Sequence, residues 1–255
     1  MLLIDEWSGG DQKPIKKNSM SNYYDTLMKD VRFVEGLNAC MNCGVCTAIC
    51  PAAAFYDYDP RKIVIAIQTK DDDEIEKLLK SETIWYCGEC LSCKTRCPRG
   101  NTPAYIVMAL RTLSQQLGFF TESEKGRQQF ALKRTVGDNI FEYGYCVAAY
   151  AMKPELHPEQ GPVWEYVIEN ARDAFERLGG KYDEYGGGPM RKIPEDVRDE
   201  LIRIFEVSGG TELFDDIERH SKAKAKEMGL ETGDKGIDNP YFMEVYTKDS
   251  GGHHC

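Results

Sequence analysis

Cys40-Met-Asn-Cys43-Gly-Val-Cys46-Thr-Ala-Ile-Cys50-Pro51 and Cys87-Gly-Glu-Cys90-Leu-Ser-Cys93-Lys-Thr-Arg-Cys97-Pro98 are two copies of one pattern, C-x2-C-x2-C-x3-C-P, set 47 positions apart. Eight of the ten cysteines of the chain fall in these two windows. Three cysteines with two-residue gaps can wrap one side of a cubane iron–sulphur cluster, and a fourth, three residues on, points away from that loop. In two-cluster ferredoxins of this pattern the fourth cysteine ligates the other cluster. Carried onto this chain, Cys40, Cys43, Cys46 and Cys97 hold one [4Fe–4S] cluster, and Cys87, Cys90, Cys93 and Cys50 hold a second. Structural zinc is the competing use of eight cysteines, but it commonly takes two separated C-x2-C pairs. A three-cysteine run closed by Cys-Pro, twice over, has no zinc rationale. The prolines fix φ and turn the chain away from each loop. Gly44 and Gly88, lacking side chains, can bring backbone N–H groups close to cluster sulphurs.

Outward from the windows the patterns are helical. A short helix is expected over Tyr23–Glu35, ending near Gly36. Asp59-Pro60 opens another, with Ile63, Val64 and Ile67 on its apolar face, and residues 71–80 form a third. Thr102 and Pro103 start the clearest helix, with Ile106, Leu110, Leu113 and Leu117 as its stripe and Gly118 as its stop. Beyond Thr121, Val163, Val167, Ala171, Ala174 and Leu178 share one face. Pro194 opens a helix with Val197, Leu201, Ile204 and Phe205 inward, and another is expected over residues 211–228. The expected fold is all-α: an N-terminal arm (1–22), an α-helical ferredoxin domain binding two [4Fe–4S] clusters (23–120), a helical C-terminal extension (121–230) and a tail (231–255). In the tail, Tyr241, Phe242, Val245 and Tyr246 are apolar, as in a segment that docks onto another subunit.

Composition narrows the function. The 255 residues carry a formal charge of −10, which disfavours a nucleic-acid surface. No apolar run nears the roughly 20 residues of a membrane span, and the first residues do not read as a secretory signal. A reducing, cytoplasmic setting is therefore expected, where disulfides are rare. Four histidines and no paired-carboxylate or nucleotide-loop pattern leave no candidate for substrate catalysis by this chain alone. Lys94, Arg96 and Arg99, opposed by Glu89, suggest a more positive surrounding and a higher potential for the second cluster. Trp85 and Tyr86 are expected to shield a cluster or pack in the core. Cys146 reads as a buried small hydrophobe, and His253, His254 and Cys255 as an unliganded tail.

These residues carry a resemblance. The stretch from about Val31 to Leu117 resembles the α-helical ferredoxin module of HdrC, the iron–sulphur subunit of heterodisulfide reductase. The likeness runs through both cysteine runs, Asp-Pro-Arg-Lys-Ile (59–63), Thr-Ile-Trp-Tyr-Cys (83–87) and Cys-Pro-Arg-Gly (97–100). Related modules occur in the iron–sulphur subunits of succinate dehydrogenase and glycolate oxidase, which form the alternative assignment. The resemblance implies electron relay in a hetero-oligomeric complex, between a flavoprotein (HdrA-like) subunit and a disulfide-handling subunit with Cys-Cys-Gly (CCG, HdrB-like) motifs. This chain has no adjacent cysteines, so it would relay electrons without cleaving a disulfide. Its long C-terminal region points towards the bacterial sulphur-oxidising type.

Overall fold

The structure is a computed structural model that describes residues 22–151, 153–156 and 161–247. The expected arm before Asn22 and the residues His253, His254 and Cys255 lie outside the described residues. Among those described, every regular element is helical. In chain order they are α1 (Tyr23–Leu27), α2 (Val31–Gly36), α3 (Val45–Ala48), α4 (Pro60–Gln68), α5 (Asp72–Lys80), α6 (Pro103–Leu117), α7 (Glu124–Leu132), α8 (Asp138–Tyr143), α9 (Gly161–Glu169), α10 (Ala171–Arg177), α11 (Glu195–Ser208), α12 (Gly210–Glu227) and α13 (Pro240–Thr247). Short 3-10 turns follow each fourth cysteine or precede it, and a π-helical turn, Lys133–Gly137, joins α7 to α8.

Local chemistry sets most of these boundaries. Asp59, Asp71 and Ser123 each cap a helix by accepting a backbone N–H from its first turn. Pro60 and Pro103 occupy first helical positions, where a missing N–H costs nothing. The side chain of Thr102 makes no capping bond; its backbone N–H instead donates to the Gly36 carbonyl at 2.8 Å. The expected helix over residues 23–35 is two, α1 and α2, because Asp30 caps a fresh start by accepting the Arg32 N–H.

Helix α6 is the hub, with α2, α4, α5 and α12 packed around it. Its Ile106, Leu110 and Leu113 are buried with Phe33, Ile63, Ile67, Ile75, Leu79 and Ile84, each such side chain contributing about 2 kcal/mol of transfer free energy. Gly36 sits where a Cβ would approach the Thr102 carbonyl and Tyr105 Cβ to 3.0 Å, so any larger residue there would have to push α2 and α6 slightly apart. The same core continues past residue 120 through Phe130, Ile217, Tyr241 and Phe242. The extension is thus not packed as a separate body at that point. Arg134 fastens it: the guanidinium, nearly fully buried, bonds Glu218 at 2.5 and 2.7 Å and the carbonyls of Gly233 and Gly236.

Several expectations fail in this region, for one reason. Tyr241, Phe242 and Val245, expected to dock elsewhere, are buried in the chain's own core, where Tyr241 meets Phe130 edge-on. The face over residues 163–178 is split by Asn170 into α9 and α10, and Val163 and Leu178 are 73% and 74% exposed. Val197 and Ile204 of α11 are exposed at 48% and 57%. Periodicity marks an apolar face but not which partner covers it, and here the main core is already filled by α12 and α13. Cys146, expected inside, is exposed.

Candidate metal centres

The two cysteine runs fold onto one backbone pattern. Asn42 and Glu89, each just before the second cysteine of its run, are left-handed at φ 59° and 52°. Their N–H groups donate to the sulphurs of Cys40 and Cys87, both at 3.4 Å. Gly44 at φ 78° and Leu91 at φ 59°, each just after a second cysteine, also match. The left-handed region costs a non-glycine residue roughly 1–2 kcal/mol, so the loop geometry is imposed on Leu91 and comes freely to Gly44. Gly88 is not left-handed, and a Cβ on it would meet nothing within 4 Å. The position matching Gly44 in the second run is Leu91, not Gly88. The fourth cysteines agree as closely: Cys50 has φ −74°, ψ 119° and Cys97 φ −77°, ψ 117°. That is the extended conformation a following proline demands.

Tertiary contacts then cross the runs over. The Asn38 N–H donates to Asn101 Oδ1 at 2.7 Å, and the Arg99 Nε–H to the Ala39 carbonyl at 3.3 Å. Together with the link from Thr102 to Gly36, these bonds lay the end of the second run beside the start of the first. Cys40, Cys43, Cys46 and Cys97 consequently line one concavity, and Cys50, Cys87, Cys90 and Cys93 line another. Arg111 holds the second loop from α6, donating to the Ile84 and Cys87 carbonyls at 2.7 Å and pairing with Glu89 at 2.6 Å. Cys43 and Cys90, equivalent members of the two runs, are exposed, so each site meets solvent along one side.

The donor chemistry suits an iron–sulphur cluster better than a single ion. Among the described residues no three His, Cys, Asp or Glu side chains come close enough to hold one metal ion. Each thiol quartet instead surrounds a space. Buried side-chain donors also border both spaces: Arg61 Nε and Asn101 Nδ2 at the first, without a protein acceptor, and at the second the Tyr58 hydroxyl, set against the Cys87 sulphur. A sulphide-rich group would supply the acceptors that Arg61 and Asn101 lack. Burial pushes the thiols of Cys46, Cys87 and Cys93 up, while Ser92 pulls Cys90 down; a bound metal overrides such preferences by deprotonating its thiols outright. Burial, then the adjacent thiols of Cys87 and Cys50, push Tyr58 far up, so its hydroxyl keeps its proton.

The cations expected around the second run are not all at the second site. Arg99 borders the first site, with Arg61, and not the second. Lys94 lies over the Tyr105 ring at 4.9 Å, and Arg96 borders neither concavity. Trp85 belongs to the main core beneath Arg111, and Tyr86 stacks on Tyr56 at 4.4 Å. Sequence reasoning missed Tyr58, Arg61 and Asn101. A usable signal was present: Tyr58 and Arg61 flank Asp59-Pro60, the helix start that follows the first run, and Asn101 stands four residues after Cys97.

A chain whose described residues form only helices, with two such thiol quartets, defines an iron–sulphur electron-transfer protein. A family model described as a 4Fe-4S dicluster domain matches residues 36–101. The HdrC protein of the ferredoxin:CoB-CoM heterodisulfide reductase of Methanosarcina acetivorans is 37% identical over 208 residues, 81% of this chain and 75% of that protein. An HdrC iron–sulphur protein of the CoB–CoM heterodisulfide reductase of Methanocaldococcus jannaschii is 31% identical over 59% of this chain and 77% of its own length. Its Methanopyrus kandleri counterpart is 30% identical over 59% of this chain and 78% of its own. The chain belongs to the HdrC family of heterodisulfide reductase subunits. Family membership decides against the glycolate oxidase and succinate dehydrogenase alternatives. The 208-residue match reaches well beyond the ferredoxin stretch, so the long C-terminal region does not by itself mark a sulphur-oxidising type. No helix among the described residues is long and apolar enough to cross a membrane.

Proposed function

We propose that this chain binds two [4Fe–4S] clusters, one through Cys40, Cys43, Cys46 and Cys97 and one through Cys50, Cys87, Cys90 and Cys93. It would relay electrons in the cytoplasm between a flavoprotein subunit and a Cys-Cys-Gly subunit that handles a heterodisulfide. The observation that carries the ligand assignment is the crossover: each concavity is lined by three cysteines of one run and the fourth of the other. The clusters, when bound, supply one-electron storage. The chain contributes eight thiolates, a buried helical floor behind them and one solvent-facing cysteine per site through which electrons can pass to a docked partner. The names of the relatives supply the disulfide, that of CoB and CoM, and for the Methanosarcina acetivorans protein a ferredoxin as the other reactant.

Anaerobic purification tests the cofactors: about eight irons and eight acid-labile sulphides per chain, with broad absorption near 400 nm, are expected. About two zincs and no sulphide would sink the proposal. Affinity isolation of the chain from its native cell tests the partners. Recovery of a flavoprotein and a Cys-Cys-Gly subunit is expected, and recovery of a flavin 2-hydroxyacid oxidase instead would overturn it.

A further inference from the structure

Tyr58, Arg61 and Asn101 present a common puzzle. Tyr58 and Asn101 are 3% and 2% exposed, and a buried donor left without an acceptor costs about 1–3 kcal/mol. Arg61 Nε and Asn101 Nδ2 have no protein partner, and the Tyr58 hydroxyl meets the Cys87 sulphur, while neighbours hold each side chain firmly. Arg61 pairs through Nη2 with Asp59 at 2.7 Å, which leaves Nε over. Its Nη1 lies 3.7 Å from where a Cβ on Gly44 would be, beside the first cysteine loop. Asn101 Oδ1 takes the Asn38 N–H, which leaves its NH2 group over. Tyr58 is braced by an edge contact to the Tyr86 ring at 6.5 Å and a backbone bond from its N–H to the Tyr56 carbonyl at 2.7 Å. The donors differ in kind between the sites. At the first they are a guanidinium and an amide, with Arg99 adding a second cation to the same wall. At the second the donor is a neutral phenol, and the cation behind it, Arg111 on the Cys87 carbonyl, is paired with Glu89 as Arg61 is with Asp59.

Reduction adds an electron to a cluster that already carries negative charge from its thiolates. Donors and cations placed beside its sulphurs stabilise that added charge and raise the reduction potential, and a wall with two N–H donors plus the Arg99 cation does so more than one with a single hydroxyl. We propose that these buried donors set the two centres apart: Arg61 and Asn101 place the centre of Cys40, Cys43, Cys46 and Cys97 at the higher potential, and Tyr58 tunes the other at the lower. Electrons entering at the second centre therefore run downhill to the first. The inference rests on the ligand assignment above. The three residues act on potential and are not cluster ligands.

The test is a redox titration of the anaerobic holoprotein followed by electron paramagnetic resonance, with iron and sulphide measured on the same samples. The wild-type chain is expected to show two waves. Tyr58→Phe lowers the lower wave alone. Arg61→Gln lowers the higher wave alone, and Arg61→Lys, which keeps the charge, recovers part of that shift. A 3-fluorotyrosine placed at position 58, a stronger donor of nearly the same size, raises the lower wave; this variant keeps the test alive should Tyr58→Phe lose its cluster. Waves that stay put in every variant, that move together, or that answer to the opposite residue overturn the inference while the iron content still supports the ligand reading. Absence of iron and sulphide from the wild-type chain overturns both.

Discussion

At the site of Cys40, Cys43, Cys46 and Cys97 the wall carries two guanidiniums and an amide; at that of Cys50, Cys87, Cys90 and Cys93 it carries a phenol and a serine hydroxyl, with the Glu89-paired Arg111 behind the loop. The backbone beneath is nearly the same in both, down to paired left-handed residues and matched pre-proline cysteines. A repeated cysteine spacing therefore specifies equivalent cradles, while unrelated flanking residues make their electrostatics unequal. That division suits a relay, which needs two similar cofactors and a reason for electrons to prefer one.

The crossover is the most breakable part of this comparison. Cys50→Ala combined with Cys87→Ala should remove one centre and leave about half the iron. Cys50→Ala with Cys40→Ala should remove both, because the two residues serve different sites. If the second pair keeps half the iron and the first keeps none, each run holds its own cluster and the sites are not exchanged.

A change remote from both sites should leave the contrast intact while lowering stability. Removing one partner of a buried ion pair costs about 3 kcal/mol, so Glu218→Gln, which deprives Arg134 of its carboxylate, is expected to lose about that much in denaturant unfolding of the holoprotein. Both potentials should stay unchanged. Burial would raise the Glu218 carboxyl, but Arg134 and Lys133 outweigh it and hold the group below its ordinary range. Its stabilising contribution is thus complete above the unfolded-state carboxyl value and fades as pH falls through the lowered folded one. In Glu218→Gln that part of the acid dependence should vanish, and an unaltered acid limb would contradict the assignment.

Smaller changes sharpen the likeness of the two loops. Gly44→Ala forces a Cβ into the left-handed region, at about 1 kcal/mol, and should speed loss of one half of the iron to a chelator. Leu91→Gly relieves the matching strain, so the other half should be retained at least as long. Equal effects on both halves would mean that the loops are not equivalent. The least effect is expected from Arg99→Gln, a small fall of the higher wave that shrinks further as salt screens the exposed charge.

Legibility from sequence followed how local each determinant is. The α4, α5 and α6 starts were readable because Asp59, Asp71 and Pro103 act within a few residues of themselves. The C-terminal region was harder. Tyr241 and Phe242 looked like a docking segment and are core, whereas Val163 and Ile204 looked like core and are exposed. An apolar stripe states that burial is favourable, and which surface provides it depends on every other helix competing for the same core.

The sequence by itself determined the helical character, the cofactor type and the eight ligands expected, because cysteine spacing and loop-closing prolines are local constraints on how thiols can converge. Tertiary structure decided what surrounds each quartet. Hydrogen bonds between residues more than sixty positions apart, such as Asn38 to Asn101, bring Cys97 beside Cys40 and put Arg61 and Arg99 at one site and Tyr58 at the other. Spacing carries no record of those neighbours, since electrostatic environment is a property of distance in space.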